Sequence, residues 1–302
     1  MFILGDESKS NGKLPWVTFS LIAINIATYS AQCLVGPSLT RGFSLIPKEI
    51  VTGTDLTAIE HVRAKVPSKI YYINGRDHIA YREVNVSIPQ APGPFPIFLT
   101  LFTSMFLHGS LGHLIGNMWF LAIFGRNVEC ALDHGRFLAF YLFCGLVGGL
   151  VYTVSDPWSV LPALGASGAI SGVLGAYVAI HPLNPISIWF GFYIGVIKLP
   201  AIAVLGLWFF IQYFGAFQSL EYAGTHLGGT AYWDHLGGFL AGVGTIGAMV
   251  YFLKRRQANI PPDENDQNQE ATAEVQEPAQ PAQPSKDDPF ANFLPAETSA
   301  KS

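Results

Sequence analysis

Charge is scarce in this sequence, and its placement says more than its amount. Only 13% of the 302 residues are charged, about half the share of a typical soluble domain. Residues 257–302 hold nine acidic and two basic side chains, net −7, which leaves residues 1–256 at +3. The overall −4 describes a tail. No basic patch interleaved with aromatics occurs, which argues against nucleic acid as a partner. Cysteine is rare too. Cys33, Cys130 and Cys144 lie in or beside apolar runs without metal-type spacing, so they read as small packing residues. No internal repeat is evident. No small-residue cleavage site follows the first apolar run, which therefore reads as a retained helix.

Apolar sequence is abundant. Half the residues are hydrophobic, and a bilayer crossing needs about 20 mostly apolar residues. Candidate spans are 16–36, 111–129, 136–154, 164–181, 199–216 and 230–253. The run "ISIWFGFYIGVI", broken by Lys198-Leu199-Pro200, is too short to cross and reads as an interfacial or re-entrant piece. The expected fold is an all-α polytopic membrane bundle of six helices. Arg126 and Arg136 in the 2–3 connection, and Lys254-Arg255-Arg256 after the last span, put both termini in the cytoplasm. Residues 1–15 form a cytoplasmic segment, 16–253 the membrane domain and 37–107 a long outer loop. In that loop, strand-like runs flank Asn74-Gly75, a hairpin signal. Residues 254–302 are an acidic tail rich in Pro and Gln, expected to be disordered in the cytoplasm.

Polar residues inside the spans are functional candidates. Spans 2, 4 and 6 run from outside to inside, so their first turns share one depth. There lie His113 and Asn117 in span 2, Ser167 in span 4 and His235 in span 6. Ser167 sits in "GASGAISG", where Gly165 and Gly168 allow close backbone approach. Free N–H groups of a helix beginning there would face an oxyanion. The same glycines also fit a plain packing stripe. On span 6, Ala231, Gly238 and Gly242 surround His235 with small residues, opposite the small face of span 4. That pairing would bring a histidine base to a serine. His113 and Asn117, at i and i+4, share a face and can donate hydrogen bonds to an oxyanion. His108, His113 and His235 could instead hold a metal, but no acidic ligand or His-Glu-x-x-His pattern accompanies them. Neither a metal nor a cofactor is expected.

His108-x4-His113-x3-Asn117, then "GRNVE" at 125–129, Gly165-Ala166-Ser167-Gly168, and His235 with Gly238 and Gly242 together resemble the rhomboid family of intramembrane serine proteases. The likeness covers roughly 95–253. It implies a Ser167–His235 dyad, an oxyanion hole from His113, Asn117 and the Ser167 N–H, and His108 helping to shape the site. It also implies transmembrane protein substrates cleaved near their outer ends, within a lipid bilayer of the cell or bacterial inner membrane. Three positions depart from the family pattern. Ser171 stands where a tyrosine often stacks on the histidine. Leu99-Thr100 replaces a common Trp-Arg pair. Asp234 replaces a small residue and reads as a solvated side chain at the site mouth. The main alternative is an inactive rhomboid-like adaptor that binds transmembrane clients. A small transporter fits less well, because the polar residues crowd one side and no repeat is present.

Overall fold

The computed structural model describes residues 2–6, 14–73, 76–189, 195–221 and 231–258. The Asn74-Gly75 turn, residues 190–194 and the tail from 259 onward lie outside them. The chain is mostly helical; the expected outer-loop hairpin is there as two paired strands, and three further strands depart from the all-α reading. In order, the elements are β1 (Phe2–Asp6), α1 (Trp16–Val35), α2 (Pro37–Phe43), α3 (Pro47–Thr52), β2 (Glu60–Ile73) and β3 (Arg76–Ile88). Short helical turns fill 97–106, around α4 (Thr100–Thr103). Then come α5 (Leu111–Phe120), a π-helical turn at Leu121–Gly125, α6 (Arg126–Leu132), α7 (His134–Ser155) and α8 (Ser167–Ile180). β4 (Pro185–Trp189), β5 (Val196–Pro200), α9 (Ala201–Glu221) and α10 (Tyr232–Ala258) complete the chain. Packing divides the chain into residues 1–243, which hold the features discussed below, and 244–302, whose described part is the end of α10.

Four helices are long and apolar enough to cross a bilayer: α1, α7, the stretch Ala201–Ser219 of α9 and Tyr232–Leu253 of α10. A fifth candidate is the pair Ile97–Phe106 and Leu111–Leu132, bent by 78°. Large apolar side chains on α9 face outward, among them Leu207, Phe210, Ile211 and Phe214. A soluble surface rarely carries such a patch, whereas lipid accommodates it. α8 differs. It has 14 residues, about 21 Å at 1.5 Å per residue, and is buried along most of its length. It begins at Ser167, not at Leu164, because Gly165 adopts φ +134°, a conformation that breaks the helical path.

The strands fix which ends of the helices lie together. β1 pairs antiparallel with β4, Phe2 opposite Trp189 and Asp6 opposite Ile186, and β4 pairs with β5. Residues 185–189 and 196–200 are therefore strands of a three-stranded sheet. Ile186 and Ile188 are buried while their neighbours are partly exposed, the alternation of a half-buried strand. Trp119 Nε1 donates to the Ile3 carbonyl at 2.7 Å. Asp6 accepts from Asn127 Nδ2 and Tyr177 Oη, each at 2.8 Å. At the opposite end, Leu45 and Ala163 exchange backbone hydrogen bonds and Lys48 N–H donates to the Ser159 carbonyl. The hairpin β2–β3 pairs from Glu60–Ile88 to Ile73–Arg76.

Two buried carboxylates tie helices down. Glu129 accepts from the Val17 N–H (2.9 Å), the Thr18 N–H (2.7 Å) and the Thr18 hydroxyl (2.6 Å), and lies 2.5 Å from His134 Nδ1. It thus serves the orphan N–H groups at the start of α1. Glu49 in α3 accepts from the Leu56 N–H at 2.8 Å. Burial pushes its carboxyl up to about 7.

Candidate active site

The site is assembled at the start of α8. Gly165 donates its N–H to the Ser104 carbonyl at 2.9 Å, which holds the bend before the helix. A Cβ on Gly165 would stand 2.8 Å from His113 Cε1, 3.0 Å from His113 Nε2 and 3.5 Å from Ser167 Oγ. The imidazole of α5 and the hydroxyl of α8 thus flank one α-carbon. Ser167 is the first residue of its helix, so its N–H belongs to the turn without intrahelical acceptors. Ser171, one turn on, donates its hydroxyl to the Ser167 carbonyl at 2.6 Å.

α10 approaches α8 through glycine on glycine. A Cβ at Gly238 would collide with the Gly168 carbonyl oxygen, and one at Gly242 with that of Gly172. This contact aligns the N-terminal turns that carry Ser167 and His235. His235 Nδ1 lies 2.8 Å from Gln212 Oε1, and the Trp208 ring stands beside the imidazole, tilted, with centroids 6.1 Å apart and planes at 31°.

His108, Gln32 and Asn117 form a second group beside the first. Gln32 of α1 accepts the His108 N–H at 2.9 Å and donates to the His108 carbonyl at 3.2 Å. His108 Nε2 lies 2.9 Å from Asn117 Nδ2. Its ring meets His113 edge-on, with centroids 5.2 Å apart. Ser110 caps α5 by accepting the His113 N–H. One amide hydrogen of Asn117 is therefore engaged by His108, which fixes the direction of the other.

Asp234 is not a solvated residue at the site mouth. Its carboxylate packs against Gly148 of α7 and Gly168 of α8, where any Cβ would clash with it. The glycine floor on two neighbouring helices draws the side chain inward, and His235 Nδ1 meets Gln212 instead. With Ser104, Asp234 supplies the polar wall of a small cavity beside Gly165, lined otherwise by Leu45, Leu101, Met105, Leu164 and small residues. Among the described residues no group of three His, Cys, Asp or Glu stands together as a metal site. Gln32 and Gln212 were outside the expected set. Each is an amide within an apolar helix, the same signal that marked Asn117.

Fold and site together define a multi-pass membrane protein whose polar residues from three helices converge on one helix N-terminus. Residues 97–252 match the family model of the Rhomboid domain, over half of the chain. The chain belongs to the rhomboid family. It is 43% identical to Rhomboid protease GluP of Bacillus subtilis over 82 residues, 26% of this chain and 16% of that protein. It is 33% identical to Presenilin-associated rhomboid-like protein A, mitochondrial, of Danio rerio over 154 residues, 49% of this chain and 37% of the relative. Rhomboid-like protease 3 of Toxoplasma gondii is 25% identical over 159 residues, 53% of each chain. The chain thus spans about half or less of the length of these relatives.

Proposed function

We propose that the protein is an intramembrane serine endopeptidase that hydrolyses peptide bonds in or near transmembrane segments of other membrane proteins. The observation that carries this reading is the flanking of Gly165 by His113 Nε2 and Ser167 Oγ at the open end of α8. The α8–α10 glycine contact beside it supports a Ser167–His235 pair.

In this mechanism Ser167 Oγ attacks the scissile carbonyl carbon while its proton passes to His235 Nε2. The carbonyl oxygen becomes an oxyanion, met by the Ser167 N–H, His113 and the free amide hydrogen of Asn117. The C–N bond breaks as His235 returns the proton to the leaving amine. Water then attacks the acyl-serine, gives a proton to His235, and releases the second product as the proton returns to Ser167. Gly165, Gly168, Gly238 and Gly242 admit the close backbone approaches, and His108 orients Asn117.

The proposed topology has six crossings, with 16–253 as the membrane domain, 254–302 as a cytoplasmic tail and both termini inside. It is supported by the pairing of β1 with β4, which joins the N-terminus to the α8–α9 connection. Residue pair 45–163 joins the two connections at the other end. Four crossings between residues 6 and 185 satisfy both. The short α8 then starts below the outer surface, at a depth reached by water and by an unwound substrate.

The test is labelling of the purified protein by a fluorophosphonate, with the adduct located by mass spectrometry. The expected result is one adduct, on Ser167, lost in His235→Ala and indifferent to a chelator. An unlabelled Ser167 in folded protein would favour the inactive adaptor.

A further inference from the structure

We infer that Gln212 is a positioning residue for His235, forming with Ser167 and His235 a triad in which an amide stands where other serine hydrolases place a carboxylate. The inference rests on the proposed Ser167–His235 chemistry and goes beyond it. An amide oxygen can only accept a hydrogen bond, so the 2.8 Å contact between Gln212 Oε1 and His235 Nδ1 requires the proton on Nδ1. The ring is then neutral with its lone pair on Nε2, the atom that must take the Ser167 proton. In serine hydrolases the third group does this work: it holds the tautomer and the ring orientation.

Three features make Gln212 suited to it. It is only 7% exposed, so water does not compete for its oxygen. It lies one helical turn from Trp208, on the same face of α9, and Trp208 stands against the His235 ring. The pair brings a hydrogen-bond acceptor and an aromatic neighbour to one imidazole from a single helix. Finally, α8 offers a serine and no ring at position 171, its hydroxyl bonded to the Ser167 carbonyl, so the aromatic neighbour of His235 is Trp208 on α9. Among the described residues, the titratable groups to weigh beside His235 are His113 on α5 and Asp234 on its own helix. Asp234 is turned to Gly148 and Gly168.

The experiment uses the full chain in liposomes with a model transmembrane substrate, comparing wild type, Gln212→Leu, Gln212→Glu and Ser167→Ala. Leucine fills the space but accepts no hydrogen bond. It is expected to lower kcat about 10- to 100-fold with KM within twofold, less than the ~10⁴-fold that altering a triad carboxylate costs, because a neutral amide orients the ring without stabilising its charge. Glutamate keeps the acceptor and stabilises the imidazolium. It is expected to retain kcat within about fivefold above pH 8 and to move the acid limb of kcat/KM upward by about one pH unit. A packing role for Gln212 would move neither the limb nor the split between kcat and KM. Leucine at wild-type kcat together with an unmoved limb in the glutamate variant, while Ser167→Ala stays inactive, overturns the triad alone. Cleavage persisting in Ser167→Ala overturns the site reading beneath it. If the leucine variant does not fold, the limb of the glutamate variant decides.

Discussion

Gly238 of α10 rests directly on the carbonyl oxygen of Gly168, with no room between them for a methyl group. The residues three positions before Gly238 and one before Gly168 are His235 and Ser167, so this contact sets the gauge between base and nucleophile. Gly238→Ala must push the helices apart, which costs about 1–3 kcal/mol in an overpacked interface. A shift near 1 Å costs about 10²-fold in rate. Cleavage should therefore fall about a hundredfold in protein that is still folded. Gly206→Ala, where a Cβ meets nothing, should leave activity unchanged.

Asn117→Ala removes an oxyanion donor and should lower kcat about 10²- to 10³-fold. KM should barely change, because the developing charge exists only in the transition state. His108→Phe keeps Asn117 but releases its amide, and should lower kcat by a smaller factor, about tenfold. Steady-state kinetics on one substrate separates the two.

Glu129→Gln keeps the shape of a side chain that lies 1% exposed and serves donors from Val17, Thr18 and His134. Losing the charge weakens several charge-assisted bonds at once. Thermal unfolding in detergent should show a loss of about 2–3 kcal/mol.

Glu49 gives stability a pH dependence. Its folded carboxyl is raised from 4.5 to about 7 by burial. Between those values the folded protein keeps a proton that the unfolded chain has lost, so stability falls as pH rises through this window. At about 1.4 kcal/mol per pH unit, the loss above pH 7 reaches up to about 3 kcal/mol. Glu49→Gln should match the wild type near pH 4.5 and be the more stable protein at pH 8, as read by unfolding midpoints.

Ser167, His235, His113 and Asn117 stand out in the sequence because each is a polar group in an apolar run, and small residues cluster beside two of them. The rule extends to Gln32 and Gln212, which were legible on the same ground; only the fold reveals which ring each one holds. Other features had no local signal. Pairing of Phe2–Asp6 with Pro185–Trp189 joins segments about 180 residues apart, and five-residue apolar runs do not declare helix or strand. The inward turn of Asp234 depends on Gly148, a glycine of another helix. The start of α8 depends on Gly165, whose positive φ and closeness to the His113 ring leave no room for a side chain.

Ser167 is the proposed nucleophile. Wild type and Ser167→Ala, reconstituted at equal amounts in liposomes with a model transmembrane substrate, test it directly. The wild type should cut within or near the spanning segment, and the alanine variant should make no product above background. Equal cleavage by the two proteins would contradict that role.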